Sequence, residues 1–161
     1  MIRRTPAIPD VPGRQSGVGL IEILIAVLVL SVGFLGMAAL QSKALSNNNS
    51  AMARSMGTIA SYSILDAMRI DPAGVDAGSY DGVEIEVPAD GDCAGVDGGA
   101  ADLAGVNLES WCGELAELVG PGTTGTITSL GGGNYRITIE FDDSRATGGE
   151  DAETLVTQAK L

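Results

Sequence analysis

The sequence predicts an α+β protein in which one long N-terminal helix packs on a small antiparallel β-sheet head. Three observations carry this expectation. Residues 18–40 are almost uninterruptedly apolar, and no Pro occurs before Pro72 in the helical stretch that follows. Beyond Pro72 come short segments that alternate apolar and polar residues at period two, separated by Gly clusters. A helix followed by strands, with one short helix between them, is the element order of an α+β head. The 161 residues suffice for one modest domain plus a membrane or targeting segment.

The chain opens with a short basic stretch. Arg3, Arg4 and Arg14 precede the apolar run, against a single acid, Asp10. The run 18–40 then carries one charge, Glu22. A helix of about 23 residues rises about 34 Å, enough for a hydrocarbon layer of roughly 30 Å. It is longer than the apolar core of an ordinary signal peptide. The preceding arginines predict a cytoplasmic N-terminus and an exported remainder. An ionised group in the hydrocarbon layer costs about 2.5–3.5 kcal/mol even on the gentler insertion scales. Cleavage after Gly17, at the end of Arg14-Gln15-Ser16-Gly17, would create an α-amino group on Val18, one helical turn from the Glu22 carboxylate. Pairing of the two charges, within a chain or between neighbours, would offset much of the burial cost. The plain alternative is a signal anchor with a tolerated Glu that snorkels toward water.

A basic leader, Gly17, the sequence Val18-Gly19-Leu20-Ile21-Glu22 and the apolar helix together resemble the class III signal of type IV pilins and pseudopilins. The resemblance implies cleavage between Gly17 and Val18 by a prepilin peptidase of the inner membrane, and N-methylation of Val18. It implies that Glu22 is the assembly carboxylate, neutralising the first residue of an adjacent subunit. It further implies other minor and major pilins as partners, with a tip adhesin among the possible ones. The head would be periplasmic in a Gram-negative bacterium, then part of a surface pilus. Two positions depart from the pattern, Val18 standing for the usual Phe and Gly19 for a larger polar residue. Within the family the resemblance is nearest to minor pilins. It is carried by Leu20-Ile21-Glu22, by Leu30-Ser31-Val32-Gly33-Phe34-Leu35-Gly36, by Arg54-Ser55 and by Asp66-Ala67-Met68-Arg69. Trp111, Val119-Gly120-Pro121-Gly122 and Glu140-Phe141-Asp142-Asp143 continue it, with Phe141 where Trp is common. The implied organisation is a leader over 1–17, a transmembrane assembly helix over 18–41, an amphipathic half over 42–70 and a globular head over 71–161.

Gly33 and Gly36 lie inside the apolar helix and either let it bend or let neighbouring helices approach. Beyond Gln41, Leu45, Met52, Met56, Ile59, Ala60, Ile64, Ala67 and Met68 recur at three- and four-residue steps and predict a core-facing stripe. The tract Ser46-Asn47-Asn48-Asn49-Ser50 is a weak helix former, either a frayed turn or a solvated face. Asp71-Pro72 predicts the end of the helix, followed by a turn-rich stretch to Gly82. Residues 82–87 alternate and predict a strand, and 88–101 a loop. Asp102 is expected to cap a helix through Leu118, burying Leu103, Val106, Leu108, Trp111, Leu115 and Leu118. Gly120-Pro121-Gly122 stops it. Residues 125–130 and 134–141 read as a hairpin across Gly131-Gly132-Gly133, 142–151 as a polar loop and 153–160 as a last strand.

Charge and composition exclude several functions. The net charge is −12, and from Val18 onward six basic residues stand against twenty acidic ones, a net of −14. Such a surface repels nucleic acid and anionic lipid, so no nucleic-acid partner is expected. The chain has no His, which removes Cys/His zinc sites and the usual Ser or Cys nucleophile dyads. No metal, cofactor or catalytic residue is predicted, and the protein is expected not to be an enzyme. Cys93 and Cys112 are the only cysteines. In an exported head they favour a disulfide over two packed thiols, closing a loop worth about 3 kcal/mol. Asp90, Asp92 and Asp97, and likewise Asp142-Asp143 with Glu150-Asp151, offer hard oxygens but lack the spacing of a calcium loop, and read as solvated acidic loops. Gly131-Gly132-Gly133 has no Lys-Ser/Thr after it and is a turn. Arg54, Asp66 and Arg69 are candidates for inter-subunit ion pairs that tune register. Alongside the pilus role stand two others: a type II secretion pseudopilin and a single-pass anchor displaying a binding head.

Overall fold

A computed structural model describes residues 19–99, 102–143 and 152–161. The elements run α1 (Leu20–Ile70), α2 (Pro72–Ala77), β1 (Val83–Glu86), α3 (Leu103–Leu118), β2 (Thr124–Gly131), β3 (Asn134–Phe141) and β4 (Glu153–Lys160). The four strands form one antiparallel sheet in the order β1-β2-β3-β4. A long helix with an apolar stretch, packed on a small antiparallel sheet, is the α+β pilin fold. The chain divides into two units, one ending at Leu40 and one spanning Gln41–Leu161.

The second unit holds the core. From α1 it takes Ala60, Ile64, Leu65 and Met68, at helical spacing, with Gly57 and Ser61 on the same face. Gly57 faces Leu155 and Ile139 of the sheet, at ordinary contact distance from where a Cβ would sit. From the sheet come Val83, Ile85, Ile127, Tyr135, Ile137, Ile139 and Phe141. β3 alternates strictly, with odd-numbered positions buried from Tyr135 to Phe141. From α3, Trp111 lies over the sheet, its Nε1 donating to the Ala60 carbonyl at 3.0 Å. Gly125 of β2 sits directly beneath the indole, where a Cβ would come within 2.5 Å of Trp111 Cη2. Cys93 and Cys112 are joined in a disulfide, Cα to Cα 5.7 Å, which ties the 88–99 loop to α3.

Several expectations about side chains are corrected. Leu45, Met52 and Ile59 are exposed, not part of the core stripe. The buried face of α1 begins at Gly57 and follows 57, 60, 61, 64, 65 and 68, and Ile59 lies across the helix from it. In α3, Leu103 and Val106 are exposed, while Ala104, Gly105 and Cys112 are buried with Leu108, Trp111 and Leu115. The disulfide and the indole set the rotation of α3, and that rotation turns 103 and 106 outward. Asp102 occupies the N-cap position of α3 but its side chain makes no capping bond. The turn-rich stretch after Asp71 contains α2, whose first turn is capped by Asp71 and begins with Pro72. The same Asp-Pro pair that ends one helix starts the next, since Pro is suited to a first helical position.

Candidate assembly site

The described N-terminal segment starts at Gly19. Its carbonyl accepts from the Glu22 amide at 2.9 Å and from the Ile23 amide at 3.4 Å, which starts α1. Glu22 therefore lies in the first helical turn, where unsatisfied N–H groups favour a negative charge. It is exposed and has no ion-pair partner among the described residues. Gly17 and Val18, the expected cleavage and methylation positions, lie outside the described residues, as do Arg3, Arg4 and Arg14.

After Glu22 the helix is apolar on every side and uncovered. An 18-residue stretch of α1 has mean hydropathy 2.7, with none of it buried. Leu20, Leu28, Phe34 and Leu35 are all more than half exposed. A helix apolar all round needs cover from lipid or from other helices. Ala26, Val29, Leu30, Gly33, Phe34 and Met37 line a shallow apolar groove along one face. Nothing lies within 4 Å of where a Cβ at Gly33 or Gly36 would sit, so both positions are open to a neighbour. Ser31 satisfies its hydroxyl internally, donating to the Val27 carbonyl at 2.7 Å.

In the head, the ion-pair candidates have partners within the chain. Arg54 meets Glu153 at 3.0 Å, and Arg69 pairs with Asp66 one helical turn away. Asp90, Asp92 and Asp97 each accept a backbone N–H two residues on, so their oxygens form turns. Asp143 is buried and accepts from the Ser50 hydroxyl at 2.6 Å, tying the Ser-Asn tract of α1 to the end of β3. Glu150 and Asp151 lie outside the described residues. No group of three metal-capable side chains converges among the described residues.

One polar cluster was not anticipated from the sequence. Buried Asp71 accepts from the Gly74 amide at 3.0 Å and from the Tyr80 hydroxyl at 2.8 Å, and Asn107 of α3 donates to the same hydroxyl at 2.7 Å. Burial pushes the Tyr80 phenol up to about 12; the Asn107 bond opposes this and the Asp71 carboxylate adds to it. The only signal in the sequence was Asp71 before Pro72, an N-cap as well as a stop. The cluster joins α2 to α3 and is structural.

In comparison with known proteins, residues 12–38 match the family described as Prokaryotic N-terminal methylation motif. No curated protein matches the chain, and no solved structure does. The motif indicates a type IV pilin-like or pseudopilin protein. The motif implies processing by a prepilin peptidase and association with pilins, and suggests a structural rather than a catalytic role. With its apolar N-terminal helix, the chain fits an inner-membrane-anchored pilin.

Proposed function

We propose that the chain is a minor pilin of a type IV pilus, of the kind called type IV pilus modification protein PilV. It is made as a prepilin with its head in the periplasm, cut between Gly17 and Val18, and methylated on Val18. It then enters a complex at or near the pilus tip that starts assembly and so influences fibre formation, adhesion and twitching. Its partners are the prepilin peptidase, other minor and major pilins and a tip adhesin.

The observation that carries this reading is the lone Glu22 carboxylate in the first turn of an apolar, uncovered helix. Packing of that helix against other pilin helices supplies the driving force. The carboxylate opposite an N-terminal ammonium selects the axial register, because a buried charge without its partner is costly. Glu22→Ala should insert in the membrane as before and fall several-fold in the filament fraction. Equal incorporation of the variant removes the register argument. The matched motif is shared with pseudopilins, so deletion of the gene decides between the two filaments. Loss of surface fibres and twitching supports the pilus, and loss of exoprotein release supports a type II secretion pseudopilus.

A further inference from the structure

The two edges of the sheet are built differently. At the β1 edge only four residues pair, and Glu84 and Glu86, which face away from β2, are charged and followed by Pro88. Such an edge resists pairing with another chain. At the other edge, β4 pairs with β3 over its full length and has no strand on its far side among the described residues.

The register shows which backbone groups are left open. The Leu161 amide donates to the Gly133 carbonyl at 2.9 Å, and those two residues are directly opposite in the β3–β4 register. Hydrogen-bonded pairs alternate in an antiparallel ladder. Odd-numbered residues of β4 therefore bond β3, while Thr154, Val156, Gln158 and Lys160 turn their N–H and C=O groups to the free side. Residues 154–159, Thr-Leu-Val-Thr-Gln-Ala, hold no charge, Pro or Gly, and Val156 is 52% exposed. Between Glu153 and Lys160 no charge guards the strand as the glutamates guard β1.

Charge at one end of the strand narrows the occupant. Among the described residues, Arg136 and Lys160 are the cations without an ion pair in a chain of net charge −12. Arg136 lies opposite Gln158, on the same sheet face as Lys160, and its Nε is buried with no hydrogen-bond partner. Leu130, Asn134, Gln158, Ala159 and Lys160 line a shallow concavity there.

We propose that the free edge of β4 docks an extended segment of a partner protein that carries a carboxylate at the Lys160 end. The segment adds a fifth strand through main-chain bonds to Thr154, Val156, Gln158 and Lys160. Its carboxylate answers Lys160 and Arg136. The proposal does not depend on which filament the chain enters.

The test uses the full chain in detergent micelles and synthetic eight-residue peptides of alternating Thr and Val. One peptide has Glu at both ends, one has Lys at both ends, and two are N-methylated at alternate amides in the two phases. Amide exchange of the free chain should be fast at Thr154, Val156, Gln158 and Lys160. The Glu peptide should slow exchange at Val156 and Gln158 and bind at least ten-fold tighter than the Lys peptide at low salt. One N-methylated phase should not bind. Val156→Pro removes an outward N–H without touching a β3–β4 bond, so it should abolish binding and leave the thermal transition nearly unchanged. Protection of the four amides in the free chain, equal binding of the Lys peptide, or undiminished binding by Val156→Pro would each overturn the proposal. So would concentration-dependent protection accompanied by a dimer, which assigns the edge to a second copy.

Discussion

At the scale of single residues, the head relies on contacts that leave no slack. Tyr80 is fully buried, and its hydroxyl both donates to Asp71 and accepts from Asn107. The fold holds the neutral phenol, with its pKa pushed from 10.0 up to about 12. The stability this group contributes is therefore complete below pH 10 and is lost as pH rises from there toward 12. Tyr80→Phe leaves the Asp71 carboxylate and the Asn107 amide without that partner. In urea unfolding it should cost about 1–3 kcal/mol at neutral pH. It should also show a shallower decline than the parent above pH 10, and parallel alkaline declines would separate Tyr80 from that behaviour. Gly125 makes a second such point. Gly125→Ala drives a Cβ into the Trp111 ring and should destabilise by about 1–3 kcal/mol; an unchanged urea midpoint would mean the indole can move aside.

At the scale of elements, most of the architecture was legible because each piece carries its own period. The alternation in 82–87, 125–130 and 134–141 became β1, β2 and β3, and the glycines between the last two became the hairpin turn. Gly131, Gly132 and Gly133 all have positive φ, which that turn requires. Residues 153–160 became β4. What stayed illegible was rotation about a helix axis. In α3 both Val106 and Leu108 are apolar, and only the contacts of Trp111 and the Cys93–Cys112 bond decide which faces the core. In α1 the apolar residues run round the helix, so the stripe from Leu45 to Met68 includes positions the head never covers. α2 was hidden because Asp71-Pro72 signals an end and a beginning alike. The loop closed by the disulfide spans 19 residues, so replacing both cysteines by Ser should lower stability by about 3 kcal/mol. Equal urea midpoints for the parent and the double variant would show that the 88–99 loop is held without the bond. Of the candidate assembly site, the uncovered apolar span with Glu22 in its first turn is what the sequence already displays. The edge position of β4, which has no further strand beside it among the described residues, could not be read there, since which strands neighbour each other is decided only by the folded sheet.

At the scale of the whole molecule, the two units solve different problems. Residues Gln41–Leu161 bury a core of their own and are strongly acidic on the surface. The described part of the first unit buries nothing and presents a continuous apolar helix with one carboxylate in its first turn. An uncovered helix of that kind is stable only in lipid or among similar helices, and moving between the two is what a filament subunit does. Glu22 is tolerated in both settings if a new amino terminus lies within reach. Mass spectrometry of the intact protein recovered from filaments addresses this claim most directly. The account predicts a chain that begins at methylated Val18, with the mass of the leader through Gly17 missing. Recovery of filament-borne protein that still starts at Met1, with no free amine near Glu22, would contradict it.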